Sequence, residues 1–282
     1  MEVPVDYQEI VYEVSEAIAT ITLNRPDKLN AWTIRMESEY RHAMEAAEKD
    51  PDVRVIIVTG AGRGFCAGAD MKMLSGISQG DTLGRGGEAT DLPKATPGTA
   101  ADVRDDFRMV YTYPPAIRKP IIAAVNGAAA GLGFIHALYC DMRFASERAR
   151  FGTAFARRGL IAEHGISWML PRLIGLQNAL DLLYSGRMID AQEALAMGLV
   201  SKVLPHDDLI PTVRAYATEL ATLSSPRSMA IMKRQVYDAQ FQDLATANTI
   251  GNDEMLKSFE TEDFREGVAS FVERRPPKFT GK

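Results

Sequence analysis

The sequence has little cysteine and no excess of positive charge, and these two shortages already exclude several kinds of protein. Its two cysteines, Cys66 and Cys140, form no CxxC pair and have no histidine at ligand spacing, which argues against a zinc site and for reduced thiols in an intracellular protein. A net charge of −5 provides no basic field for nucleic acid. The acidic first residues lack the apolar segment of a signal peptide, so we expect a cytoplasmic protein.

The longest apolar stretch, residues 120–140, approaches the length of a membrane span. Gly127, Gly131 and Gly133 interrupt it soon after the run IIAAV, which follows Pro120. A short apolar run that ends at glycines is typical of a buried strand and a turn. We therefore predict a strand, a turn and a helix in this stretch and expect no membrane partner.

Strand-like and helix-like segments alternate along most of the chain. Residues 10–23 alternate apolar and polar side chains around a turn, and residues 34–47 repeat apolar side chains near helical spacing. Residues 53–60 form a buried-strand run that ends in glycine, and short strands are predicted again at 141–146 and 149–154. This order predicts the α/β class.

Two regions differ from this pattern. Residues 75–106 are polar and rich in glycine, threonine and aspartate, so we predict an inserted mobile loop. From about residue 206 the pattern is helical throughout. We therefore predict a core at residues 1–205 and a C-terminal helical module at 206–282, which needs either its own core or another subunit to pack on.

Two glycine-rich turns each follow a predicted strand and precede a predicted helix: TGAGRGFCAGADMKML (59–74) and VNGAAAGLGF (125–134). The first matches neither the GxGxxG dinucleotide fingerprint nor the GK[ST] of a P-loop. Each turn alone could simply be a tight connection. Two such turns together can direct two backbone N–H groups at one oxygen, which is what an oxyanion hole requires.

Glu163 is the lone carboxylate in the otherwise largely apolar segment FARRGLIAEHGISWMLPRLIG (155–175). Such a glutamate can satisfy free N–H groups at a helix start. It can also be a base whose pKa is raised by an apolar pocket. The segment by itself favours the helix cap, so the choice depends on the rest of the chain.

Five collinear motifs together resemble the enoyl-CoA hydratase/isomerase, or crotonase, superfamily over about residues 7–279. They are ITLNRPDKLNAW, VRVIIVTGAGRGFCAGADMKML, KPIIAAVNGAAAGLGFIHALYCDMRFAS, GRMIDAQEALAMGLVSKVLP and FREGVASFVERRPPKF. The resemblance implies a spiral of ββα turns and a C-terminal helical part that mediates trimer contacts, often in a dimer of trimers. It also implies a coenzyme A thioester as substrate, with no separate cofactor and no metal.

By motif position, the resemblance implies an oxyanion hole formed by the N–H groups of Ala69 and Leu132, the second of which is usually glycine in the family. It assigns further positions to the binding of coenzyme A or the acyl group: Arg25, Lys28, Leu29, Ala31, Ala67, Asp70, Met71, Lys72, Phe155, Phe271, Arg274 and Lys278. The last three are expected near the C-terminus as contacts that can reach a neighbouring subunit. For Arg25 and Lys28, an ordinary solvated surface cation is the alternative.

The two glutamates with which hydratases of this family handle water correspond to Ile135 and Phe155, and both positions are apolar here. In its catalytic segment, FGTAFARRGLIAEHGIS, the chain resembles Δ3,Δ2-enoyl-CoA isomerases, in which a glutamate stands at the place of Glu163. Chlorobenzoyl-CoA dehalogenases place an aspartate there. The resemblance therefore favours isomerisation with Glu163 as the single acid–base.

Two alternatives stay open. One is a hydratase that uses Glu163 and a water held by groups in the 75–113 region, and the other is an acyl-CoA binder without chemistry. His136 and His164 are interpreted as structural residues, because a lone histidine on an apolar segment more often satisfies the core. Asp70 and Asp141 are interpreted as helix caps or structural hydrogen-bond acceptors.

Overall fold

A computed structural model describes residues 5–78, 92, 94–100 and 103–282 of the chain. The larger of its two sheets has the strand order β1-β2-β3-β5-β7-β10. The strands are β1 (Ile10–Ser15), β2 (Ile18–Leu23), β3 (Val55–Gly60), β5 (Ile121–Val125), β7 (Met142–Ser146) and β10 (Lys202–Leu204). Only β1 runs antiparallel to its neighbour, in a hairpin with β2, and the other pairs are parallel.

The smaller sheet is built from short strands, of which β8 lies within the strand predicted at 149–154 and the others were not predicted. Its order is β4-β6-β8-β9, with β4 (Gly64–Cys66), β6 (Ala128–Ala130), β8 (Arg150–Gly152) and β9 (Ile189–Asp190). Strand β4 pairs in parallel with β6, and β6 with β8. Strands β4, β6 and β8 each follow a strand of the larger sheet, so successive ββα units stack side by side, and β9 pairs antiparallel with β8.

Helices cover both faces of the larger sheet. Helices α1 (Ile34–Lys49) and α3 (Leu132–Tyr139) belong to the main core, and α3 is buried along its whole length. Helix α7 (Leu209–Leu223) packs on the opposite face through Leu209, Val213 and Ala217. The other helices are α2 (Met71–Ser78), α4 (Ile166–Ile174), α5 (Leu176–Ser185), α6 (Ala191–Ala196), α8 (Pro226–Asp238), α9 (Leu244–Phe259) and α10 (Glu262–Glu273).

A largely buried ion pair connects the C-terminal helices to the core. Lys233 of α8 contacts the Asp141 carboxylate at 2.8 Å and donates to the carbonyls of Pro114 and Lys119. Asp141 also accepts from the Ile121 N–H and from the Tyr237 hydroxyl. The structural role predicted for Asp141 is therefore confirmed.

The α/β class and the alternation of elements are confirmed, and residues 120–140 form the predicted strand, turn and helix. Within the described ranges, no helix has both the length and the apolar character needed to cross a membrane. Much of the predicted loop at 75–106 lies outside the described residues. The division at residue 206 stays a prediction, and α7, although it follows that residue, packs directly on the sheet.

Candidate active site

The two glycine-rich turns lie against each other along their whole length. Gly64 pairs with Ala128 and Cys66 with Ala129. A Cβ at Gly133 would lie 2.0 Å from the Cys66 carbonyl oxygen, and one at Gly68 would lie 2.9 Å from the Ala130 carbonyl oxygen. Gly68 also has a φ of +103°, which L side chains rarely adopt. Glycine at these positions therefore lets the two turns approach to backbone contact.

This contact brings the N–H groups of Ala69 and Leu132 to the same region. Trp32 donates its N–H to the Gly68 carbonyl at 2.7 Å and accepts from the Asp70 N–H at 2.9 Å, so the Ala69 N–H between them points away from Trp32. Leu132 is the first residue of α3, where the N–H has no acceptor within the helix. Among the described residues, neither N–H has a hydrogen-bond partner.

Glu163 does not cap helix α4. That helix begins after Gly165, which is in the left-handed conformation, and no side chain caps it. The Glu163 carbonyl accepts from the Ile166 N–H, and its side chain is 29% exposed. Partial burial raises the pKa of the Glu163 carboxyl above its ordinary value. The helix-cap interpretation is therefore wrong, because the turn at 163–165 directs the carboxylate elsewhere.

A row of aromatic rings connects the predicted oxyanion hole, the pair of N–H groups of Ala69 and Leu132 called the hole from here on, to Glu163. His136 lies one turn after Leu132 on the same face of α3, and its ring is 5.6 Å from that of Tyr111. The Tyr111 ring in turn is 4.2 Å from the ring of His164, whose Nε2 is 3.7 Å from the Glu163 carboxylate. Burial raises the pKa of Tyr111, and the charges of Glu37 and Glu163 raise it further. The described side chains thus place Glu163 on the side of α3 that carries the hole.

Contacts with the last turn of α3 hold the turn that carries Glu163 in place. The Tyr139 hydroxyl donates to the His164 carbonyl at 2.9 Å. A Cβ at Gly165 would lie 2.5 Å from that hydroxyl, and Gly165 has a φ of +72°. The last turn of α3 therefore positions the turn that carries the Glu163 carboxylate. The first turn of the same helix positions the Leu132 N–H.

The two histidines of the row both pack against aromatic rings. The His136 ring stacks on Trp32 with centroids 3.7 Å apart and an interplanar angle of 26°. Burial lowers the pKa of His136 to about 3, so its imidazole is neutral. Burial also lowers the pKa of His164. Ile135 and Phe155, at the two positions of the family's water-handling glutamates, are buried apolar side chains.

The cationic and acidic residues assigned to coenzyme A form the rim beside the hole. Arg25 is not a free cation, because it contacts the Glu9 and Asp70 carboxylates at 3.1 Å each and donates to the Ala31 carbonyl. Asp70 accepts from the Lys72 N–H at 2.9 Å in the first turn of α2, which confirms its predicted capping role. Lys28, Ala67, Met71 and Lys72 are exposed. Leu29 is half-buried and accepts from the Ala67 N–H.

The three C-terminal residues assigned to the site lie on the surface, at the end of α10 and beyond it. Phe271 is 85% exposed at the end of α10, and Arg274 and Lys278 are exposed beyond it. Arg54, which precedes β3, donates to the carbonyl of Phe279 in the same segment. Arg54 precedes β3, whereas the hole follows the end of that strand. Among the described interactions, none joins Phe271, Arg274 or Lys278 to the site of their own chain.

Sequence reasoning missed the residues behind the hole. Trp32 lies in the motif LNAW, which gives no sign of its role. Its ring stacks on His136 and forms part of the wall of the candidate site. Glu37, one turn into α1, accepts from the Trp32 Nε1 at 2.9 Å, and burial raises its pKa to about 7. Neither its helical position nor its charge distinguishes Glu37 from a solvated glutamate in the sequence.

The family model described as enoyl-CoA hydratase/isomerase matches residues 13–282. A relative named probable enoyl-CoA hydratase, from Mycobacterium tuberculosis, is 37% identical over 275 residues, 97% of this chain and 98% of the relative. The 1,2-epoxyphenylacetyl-CoA isomerase of Escherichia coli is 32% identical over 273 residues, again 97% and 98% of the two chains. The crystal structure of an enoyl-CoA hydratase from Bacillus anthracis superposes with a TM-score of 0.83 at 28% identity, covering 98% of this chain and 100% of that one.

Proposed function

The chain belongs to the enoyl-CoA hydratase/isomerase family, and we propose that it moves the double bond of an enoyl-CoA thioester, with Glu163 as the single acid–base. The observation that carries the proposal is the half-buried Glu163 carboxylate on the hole side of α3, while Ile135 and Phe155 are apolar. One carboxylate is enough for a proton transfer along the acyl chain. Hydration by the family's usual arrangement needs two.

In this mechanism the thioester carbonyl oxygen accepts hydrogen bonds from the Ala69 and Leu132 N–H groups. The Glu163 carboxylate removes a proton from C2 of a 3-enoyl-CoA, and the electron pair of that C–H bond moves into the carbonyl to give an enolate. The enolate then takes a proton back from the Glu163 carboxyl at C4, so the double bond moves to C2–C3. Because this side chain is 29% exposed, its proton exchanges with solvent in a fraction of turnovers. No proton is gained or lost overall.

The surroundings of the two groups fit these tasks. Removing one oxyanion donor typically costs about 10²- to 10³-fold in kcat, which makes the paired N–H groups the largest contribution to the rate. The start of α3 adds the positive end of its helix dipole near the developing oxyanion. The raised pKa of Glu163 makes it a stronger base once ionised and a competent acid for the return step.

A second candidate is hydration, which is favoured by the name of the Mycobacterium tuberculosis relative. It requires Glu163 to share a water with another group of residues 75–113. A third is a protein that binds acyl-CoA without reaction. In each case coenzyme A is part of the substrate or ligand, and we assign its phosphates to the exposed lysines Lys28 and Lys72 on the rim.

One assay on the purified protein separates the three. A 3-enoyl-CoA and a 2-enoyl-CoA are incubated separately in deuterated buffer, and the products are followed by absorbance and mass spectrometry. Isomerisation predicts a 2-enoyl product from the first thioester with solvent deuterium exchange. Water addition to the second without conversion of the first would establish hydration, and binding without exchange would leave only a binder.

We further propose a cytoplasmic homotrimer or a dimer of trimers. Cys66 and Cys140 are both buried and unpaired, which suits a reducing compartment. Helices α8–α10 present large exposed apolar side chains, and exposed apolar area of this kind is typical of subunit contacts. They include Met232, Leu244, Leu256, Phe264, Val268, Phe271 and Val272.

A further inference from the structure

Three buried polar atoms near the candidate active site have no hydrogen-bond partner among the described residues. They are Oε1 of Glu37, the hydroxyl oxygen of Tyr113 and Nε2 of His136. Tyr113 is 1% exposed and His136 is 4% exposed. Nearly all buried polar atoms in folded proteins are paired, so three neighbouring exceptions indicate a ligand or an ordered water. We call these three side chains the buried polar cluster.

Contacts of Trp32 and Arg41 connect the members of the cluster. Trp32 donates its Nε1 to Oε2 of Glu37 at 2.9 Å, while its ring stacks on His136. The charge of Glu37 contributes to the raised pKa of Tyr113, whose ring lies 4.7 Å beneath the Arg41 guanidinium. Arg41 is one turn after Glu37 on α1. Each member of the cluster is thus linked to the next through Trp32 or through α1.

The same contacts place the cluster directly behind the hole. The Trp32 backbone pairs with Ala69, which supplies one N–H of the hole. His136 follows Leu132, which supplies the other, by one helical turn. An acyl chain whose thioester oxygen occupies the hole and whose C2 faces Glu163 therefore begins within one helical turn of His136.

We infer that the buried polar cluster is a subsite for a neutral hydroxyl group carried by the acyl chain of the substrate, an inference that rests on the proposed acyl-CoA function. A hydroxyl can donate one hydrogen bond and accept two. It can donate to Glu37 Oε1 and accept from the Tyr113 hydroxyl and from a protonated His136 Nε2 of the neutral ring. A charged group is disfavoured, because the rings of Trp32 and His136 offer no solvation for it.

The test compares two acyl-CoA series of equal chain length, one unsubstituted and one with a hydroxyl at successive carbons beyond C4. The ratio of kcat/KM for the hydroxylated to the unsubstituted thioester is measured for wild type, Tyr113→Phe and Glu37→Gln. Each ratio is taken on one preparation, so a loss of folded protein cancels. A matched control is Tyr216→Phe, which removes a hydroxyl that contacts Met142 on the opposite face of the sheet.

We expect one hydroxyl position to be preferred by wild type at least about tenfold, and Tyr113→Phe to lower that ratio about fivefold or more while the control keeps it. A ratio near one at every position in wild type would overturn the inference, as would a ratio unaffected by Tyr113→Phe. A crystal structure with only an ordered water between the three atoms, together with a flat ratio, would assign the cluster to that water.

The same comparison distinguishes this inference from the proposed function. Calorimetric affinities of the saturated acyl-CoA and hydroxyacyl-CoA pair give the ratio without any turnover. If neither enoyl-CoA reacts but the hydroxylated ligand binds more tightly, the proposed reaction fails and the subsite stands. If the unsubstituted 3-enoyl-CoA is isomerised and both ratios are near one, the reaction stands and the subsite fails.

Discussion

At the residue scale, the assignment of Glu163 has a consequence for the pH dependence of the reaction. The base must be ionised to remove the C2 proton, and burial raises the pKa of this carboxyl above its ordinary 4.5. We therefore expect kcat/KM for a 3-enoyl-CoA to fall as the pH is lowered, through an apparent pKa above 4.5. A profile that stays flat down to the ordinary glutamate pKa would contradict the assignment.

The raised pKa of Glu37 leads to a separate prediction about how the stability of the fold depends on pH. Its pKa in the folded chain is raised to about 7, so between pH 4.5 and 7 the folded state binds more protons than the unfolded state. Its contribution to stability is therefore complete below pH 4.5 and is lost as the pH rises through about 7. Above that pH, the ionised carboxylate costs about 3 kcal/mol of stability relative to its protonated form.

Glu37→Gln keeps the shape of the side chain and removes this charge. We expect the variant to gain stability relative to wild type at pH 8 and to differ little near pH 5, as measured by urea denaturation at both values. Glu147→Gln, at an exposed turn, is the matched control and should change neither. If Glu37→Gln is less stable than wild type at pH 8, the folded chain stabilises the ionised Glu37 carboxylate, contrary to this prediction.

Residue chemistry was only partly predictable from the sequence. The lone acid at Glu163 and the apolar Ile135 and Phe155 were evident from motif position alone. Arg25 was expected to line the coenzyme A channel, but its guanidinium is already paired with Glu9 and Asp70. Glu37 was not identified, because its partner Trp32 is buried against His136 of α3, which comes from a distant segment of the chain.

At the scale of elements, the contact between the two glycine turns is predicted to control the hole. Gly68→Ala would place a Cβ 2.9 Å from the Ala130 carbonyl oxygen at a φ of +103°. The strained backbone should displace the Ala69 N–H, so we expect kcat to fall about 10²-fold or more. Steady-state kinetics with a 3-enoyl-CoA provide the measurement.

The matched control for that substitution is Gly251→Ala in helix α9, where nothing lies within 4 Å of an added Cβ. Alanine has the higher helix propensity, so the control should keep its activity and lose no stability. Equal activity of the Gly68 and Gly251 variants would show that the Ala69 N–H takes no part in the reaction.

Long elements were predictable because their periodicity is a property of one segment, as in α1 and in the β1–β2 hairpin. The short strands β4 and β6 were not, since three residues carry no period and are strands only because they pair with each other. Their pairing is nevertheless what brings together the two turns that carry the proposed oxyanion hole. The missing information was long-range contact, which local sequence does not contain.

At the scale of the whole molecule, the exposed apolar surface of the C-terminal helices predicts self-association. Phe271 and Val272 are 85% and 74% exposed on α10. We expect sedimentation equilibrium to give a trimer or hexamer, and Phe271→Asp with Val272→Asp to weaken it toward monomer. Val14→Asp, at a 42% exposed position on β1, is the control. A monomeric wild type, or an assembly unchanged by the double variant, would contradict the proposed trimer.

The central claim is that the Glu163 carboxylate moves the proton, and one measurement tests it most directly. Glu163→Gln and the control Glu147→Gln are each incubated with a 3-enoyl-CoA in deuterated buffer, and both isomerisation and deuterium incorporation are measured alongside thioester affinity. We predict that Glu163→Gln loses both reactions by about 10³-fold or more while it still binds the thioester, and that the control behaves as wild type. Isomerisation and exchange at the wild-type rate in Glu163→Gln would contradict the account.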